Sequence, residues 1–139
     1  MRVTLSDDAR RYLGAFDEET GASASDCLVY DDRIVVLVGA GEMGKAIGPG
    51  GKTVKRLERK LGRNVELVED ADTPEAFVSS ALAPATVRHV TISDQNDRVA
   101  YVEVAEGDRG VAIGKRGQNI ETARRLARRH YDIDDIQLT

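Results

Sequence analysis

The chain has 139 residues, 41% hydrophobic and 32% charged, which allows one ordinary domain or two very small ones and argues against wholesale disorder. No apolar run approaches the ~18 residues a membrane span needs, and Met1 to Ser6 lacks the charged and apolar regions of a signal peptide, so a soluble, cytoplasmic protein is expected. The formal charge of −4 would argue against a polyanionic partner if it were evenly spread, but it is not.

Ser6 can cap a first helix whose early acids, Asp7 and Asp8, suit the positive end of its dipole, and that helix is predicted to run to about Glu19. Two β-rich runs follow, 27–30 and 34–38, joined by Asp31-Asp32-Arg33 as a hairpin. Cys27, the only cysteine, excludes an internal disulfide and a cysteine-based zinc site, and its strand-like setting predicts a packed, inert side chain. A short helix near 42–47 leads into Gly48-Pro49-Gly50-Gly51, and a longer one then reaches Leu61 and stops at Gly62. A strand over 65–68 closes the first half. In the second half Thr73 can cap and Pro74 can occupy the first helical position. The predicted elements are a helix over 76–83, strands over 87–93 and 99–104, a short helix near 108–113, a helix from Gln118 to about His130, and a strand over 133–138.

The order is α-β-β-α-α-β in both halves, and the sequence repeats as well. Ala46-Ile47-Gly48-Pro49-Gly50-Gly51-Lys52-Thr53-Val54 aligns, 66 residues later, with Ala112-Ile113-Gly114-Lys115-Arg116-Gly117-Gln118-Asn119-Ile120. Each copy sits in a basic stretch. From Lys45 to Arg63, and again from Arg109 to His130, seven Lys or Arg residues face one Glu, a net +6 each, which leaves −16 for the remainder. Two basic patches therefore lie on an acidic body. Asp exceeds Glu and Arg far exceeds Lys, a bias that resembles proteins of high-salt cytoplasms.

Three readings compete for the glycines. Gly39-Ala40-Gly41-Glu42-Met43-Gly44 follows a strand as a dinucleotide fingerprint does, but a Rossmann unit needs a substantial helix next, and Gly48-Pro49-Gly50-Gly51 interrupts it. Gly48 to Thr53 ends like a P-loop, yet its leading glycine is replaced by Ala46 and the repeat has Gln118-Asn119 where Lys-Thr would stand. What does repeat is Ile-Gly-x-x-Gly between two helices. Its missing Cβ atoms would let a nucleic-acid backbone approach, with unpaired N–H groups of the next helix meeting phosphates. Beside each loop an apolar groove is expected, from Ile47, Val54 and Leu57 in one copy and Ile113, Ile120 and Ala123 in the other, for about four unstacked nucleotides. His89 and His130 have no partner cluster, and no nucleophile–base pair is apparent, so no metal, cofactor, small-molecule substrate or catalysis is expected.

Ala112-Ile113-Gly114-Lys115-Arg116-Gly117-Gln118-Asn119-Ile120 resembles the second KH motif of the NusA family of transcription termination and antitermination factors. Phe77 to Ala85 and Tyr131-Asp132-Ile133-Asp134 are similar to the segments around it. Bacterial members carry further domains before the KH pair, so the chain looks like the archaeal two-KH form. The resemblance implies an α+β fold of tandem type II KH domains, 1–70 and 71–139, and single-stranded RNA binding in termination or antitermination, with RNA polymerase a second partner and no membrane. The candidate RNA-binding residues are Ile47, Gly48, Pro49, Gly50, Gly51, Lys52 and Lys55 in the first copy, and Ile113, Gly114, Lys115, Arg116, Gly117, Gln118, Asn119 and Arg124 in the second. Pro49 lacks an N–H and the first loop lacks charge, so the second is the expected stronger grip. The competing reading is a KH-fold structural adaptor of the transcription or ribosomal machinery, with vestigial loops.

Overall fold

The computed structural model describes residues 3–139, so Met1 and Arg2, on which part of the signal-peptide reading rests, lie outside the described residues. The chain divides into two compact units, Thr4–Asp70 and one built from Ala71–Thr139. No helix among the described residues is long and apolar enough to cross a membrane.

In the first unit, α1 (Asp7–Thr20) starts at Ser6, whose Oγ accepts a hydrogen bond from the Ala9 N–H at 3.1 Å, and stops at Gly21 in the left-handed conformation. Its stripe of Ala9, Tyr12 and Phe16 packs on the alternating residues Ile34, Val36 and Val38 of β2 (Arg33–Val38). β1 (Ala24–Val29) pairs antiparallel with β2, and β3 (Asn64–Glu69) pairs parallel with it on the other side, giving the order β1-β2-β3. A parallel neighbour needs a crossover, and α2 (Met43–Ile47), a 3₁₀ turn (Pro49–Gly51) and α3 (Lys52–Leu61) supply it. The glycine loop thus lies inside the crossover, held from both ends.

The second unit repeats the plan. α4 (Pro74–Ala81) is capped by Thr73 Oγ1, and β4 (Val87–Ser93), β5 (Val99–Val104) and β6 (Asp135–Leu138) form a sheet in the order β4-β5-β6. The crossover holds α5 (Arg109–Ile113), a 3₁₀ turn (Lys115–Gly117) and α6 (Gln118–Tyr131). Phe77 stacks on Tyr131 with ring centroids 4.7 Å apart, and the Tyr131 hydroxyl donates to the Ala71 carbonyl at 2.7 Å.

Several element ends differ from the sequence reading, three of them for a local reason. β1 begins at Ala24, three residues early, across an irregularity in which buried Asp26 accepts from the Cys27 N–H. α4 ends at Ala81, not 83, because the residue before Pro84 is barred from helical geometry. β6 begins at Asp135, not 133: Asp132 turns left-handed to close α6, and the Ile133 N–H returns to the Ala127 carbonyl.

Candidate nucleic-acid interface

The two glycine loops share one backbone. Gly48 and Gly114 lie at φ/ψ of 74°/171° and 78°/172°, Gly50 and Arg116 at 61°/20° and 57°/24°, and Gly51 and Gly117 at 77°/14° and 72°/12°. The first pair occupies a region open essentially only to glycine. A Cβ on Gly114 would also stand 2.6 Å from the Asn119 Cβ, and one on Gly48 2.7 Å from the Thr53 Cβ. The leading glycine is therefore required by the loop's own packing against the next helix. Around Gly50 and Gly117 the space is open, so there a strand can approach. The first N–H of each following helix is taken: Lys52 donates to the Pro49 carbonyl and Gln118 to the Lys115 carbonyl. No side chain caps either helix, so acceptors for the later N–H groups must come from outside the cap.

Arg116 adopts the conformation that glycine holds in the first loop. Keeping a long cation at a left-handed position costs about 1 kcal/mol. Lys115 and Arg116 are exposed and make no ion pair among the described residues. Below the loop a cleft of about 400 Å³ is lined by Ile113, Ile120, Arg109, Arg116, Gly117 and Leu138. Arg109, exposed and also without an ion pair among the described residues, is a candidate contact that motif reading passed over, since it lies outside the glycine signature. The predicted grooves are shallower than expected: Leu57 and Ala123 are 0% exposed and belong to the core, whereas Ile47 is 38% exposed and Ile113 half-buried.

Two predicted contacts are committed elsewhere. The Asn119 amide donates to the Leu82 and Ala112 carbonyls at 3.2 and 3.1 Å, tying loop, α4 and α5 together. Arg124 donates to the Ile136 carbonyl and pairs with Glu121 and Asp135, clamping α6 to β6. Gln118 is half-buried at the start of α6. In the first unit Lys45, Arg56 and Lys60 pair with Glu42, Glu19 and Glu18, and Arg63 is bound to Tyr30 and Tyr12. Lys52, Lys55 and Arg59 remain exposed and make no ion pair among the described residues, a stripe running from the loop down α3. Pro49 and Gly50 are exposed at the tip.

The nucleotide-like motif at Gly39 is built against anions. Hydrogen bonds from the Ser23 hydroxyl and N–H hold the Glu42 carboxyl below its ordinary range, and the Gly41 N–H donates to the Glu69 carboxylate at 2.7 Å. Among the described residues no group of three His, Cys, Asp or Glu could hold a metal ion. Burial, with Asp26 adding to it, pushes the Cys27 thiol up to about 12. Native protein at pH 8 should resist iodoacetamide and react fully in denaturant. The raised value also means that the thiol stabilises the fold below its ordinary pKa of 9.0 and loses that contribution as pH rises towards 12.

Residues 74–139 match the family model of the NusA-like second KH domain, and residues 11–73 match that of the KH domain. The chain is 60% identical to a probable transcription termination protein NusA of Halococcus morrhuae, covering 99% of both chains, and 60% identical to that of Halobacterium salinarum, covering all of both. The chain belongs to the NusA family. The crystal structure of APE1850 is similar, with a TM-score of 0.84 and 30% identity over 97% of this chain and 100% of that one. Each unit is therefore a type II KH fold, and the excess of Asp over Glu and of Arg over Lys is in keeping with relatives from Halococcus and Halobacterium.

Proposed function

We propose that this protein binds single-stranded RNA, through both Ile-Gly-x-x-Gly loops, in transcription termination or antitermination in the cytoplasm. Its two domains are read as 1–70 and 71–139. The observation that carries the reading is the same glycine-loop backbone built twice, with open space at Gly50 in one copy and Gly117 in the other, and beside it cations that make no ion pair among the described residues. Lys115, Arg116 and Arg109 serve the second loop, and Lys52 and Lys55 the first, with Ile47 and Ile113 lining the grooves. Gly48, Gly51, Gly114 and Gly117 shape the loops, Pro49 and Gly50 present an uncharged tip, and Gln118 opens α6. Asn119 and Arg124 act by holding this surface. By kinship with termination factors RNA polymerase is a second proposed partner, to be tested by co-purification. No catalysis is proposed.

Fluorescence anisotropy with an unstructured labelled RNA, and with the same strand annealed into a duplex, tests the reading. The single strand should bind more tightly, with a log–log salt slope of roughly −0.7 for each phosphate neutralised. Equal affinity for both, or no binding by either, would favour the structural adaptor.

A further inference from the structure

Glu58 of α3 and Arg124 of α6 occupy the same place in the repeat and carry opposite charge. Glu58 Oε2 accepts from the Val65 N–H at 2.9 Å, whereas Arg124 donates to the Ile136 carbonyl. Val65 and Ile136 are themselves equivalent, paired with Ile34 and Ala100. The N–H and C=O of one strand residue point to the same side. In the second unit both groups of Ile136 are satisfied, the N–H by Asp135 and the C=O by Arg124. In the first, a carboxylate takes the N–H and the strand edge keeps its acceptor character.

Glu58 also lines an open cleft of about 540 Å³ between α3, the β1–β2 hairpin and the start of β3. Lys55 and Arg59 form one wall, and Asp31 of the hairpin contributes to the other. None of these three makes a hydrogen bond or ion pair among the described residues, although all three are charged and exposed. Lys55 and Arg59 extend the stripe that begins with Lys52 at the glycine loop.

On the RNA-binding reading above, we infer that this cleft is an additional nucleotide subsite of the first unit, outside the glycine loop. Phosphates meet Lys55 and Arg59, and the carboxylates of Asp31 and Glu58 accept from the exocyclic amine of adenine or cytosine. Uracil has no such amine: its O4, which stands where cytosine carries the amine, is an acceptor facing the carboxylates, and N3–H is the one donor left on that edge. In the second unit the counterpart of Glu58 is a donor already bonded to its own strand, so the selection belongs to the first.

Anisotropy of labelled ten-nucleotide oligo(A), oligo(C) and oligo(U) with the full chain tests this. Oligo(A) and oligo(C) should bind roughly five- to tenfold tighter than oligo(U). Asp31→Ala should narrow that ratio at least threefold, while Asp97→Ala, its counterpart in the second hairpin, leaves it intact. Lys55→Gln with Arg59→Gln should weaken all three RNAs and reduce the salt slope by roughly 1.4. Equal affinities for the three RNAs, or a ratio unmoved by Asp31→Ala, overturns the subsite while the RNA reading stands. No binding of any RNA overturns both. Calorimetry with AMP or CMP alone should show no heat, and saturable binding there would assign the cleft to a free nucleotide rather than to a strand.

Discussion

Replacing Lys115 and Arg116 together by Asp should weaken single-stranded RNA binding roughly 30- to 100-fold at 0.1 M salt. That corresponds to about 2 to 3 kcal/mol, from two lost phosphate contacts and the repulsion that replaces them. The log–log salt slope should also fall by roughly 1.4, so the deficit shrinks in molar salt. The matching change at Pro49 and Gly50 should cost less, because the first loop has no cation to lose. Arg116→Gly separates charge from conformation. It gives the second loop the residue that the first already uses at this φ, so the domain should gain roughly 0.5 to 1 kcal/mol of stability while RNA affinity falls. Thermal unfolding and anisotropy on one preparation check both signs. A fall in melting temperature, or unchanged affinity, would remove Arg116 from the binding surface.

Gly114→Ala should be far more damaging than Gly117→Ala. At Gly114 the new Cβ meets the Asn119 Cβ at 2.6 Å and backbone N at 2.9 Å, on a φ/ψ that other residues avoid, so about 3 to 5 kcal/mol is expected. Asn119 cannot yield without releasing its bonds to Leu82 and Ala112. At Gly117 nothing lies within 4 Å, and only the left-handed φ is charged against alanine, about 1 kcal/mol. Gly48→Ala should fall near Gly114→Ala, since the Thr53 backbone N lies 3.0 Å from the added carbon. Circular dichroism melts of the three variants rank them. Equal losses at Gly114 and Gly117 would mean that φ, not packing, sets the requirement.

Much of the candidate interface was legible in the sequence. Helix caps at Ser6 and Thr73, the stop at Gly62, and the repeated glycine motif depend on residues a few positions apart, so local chemistry determines them. The charge blocks around Lys52 and Lys115 were equally plain. Which of those cations are free was not. Arg56 and Lys60 meet acids of α1 some forty residues earlier in the chain, and Arg124 meets a carbonyl of β6. Likewise, Asn119 reads as an RNA contact in the motif but bonds backward to Leu82. Leu57 and Ala123 shared a helical face with the groove, and only the sheet behind them placed them in the core.

By itself, then, the sequence determined that two copies of one α-β-β-α-α-β unit exist, where their glycine loops lie, and that positive charge gathers around them. Tertiary structure alone decided what each charge does. A guanidinium's role depends on which acceptors the fold brings within about 3 Å, and partners such as Glu58 with Val65 or Arg124 with Ile136 come together only when the last strand docks at the sheet edge. The opposite polarity of those two equivalent positions is written in the sequence as one Glu and one Arg, but its consequence for the strand edge appears only in the fold.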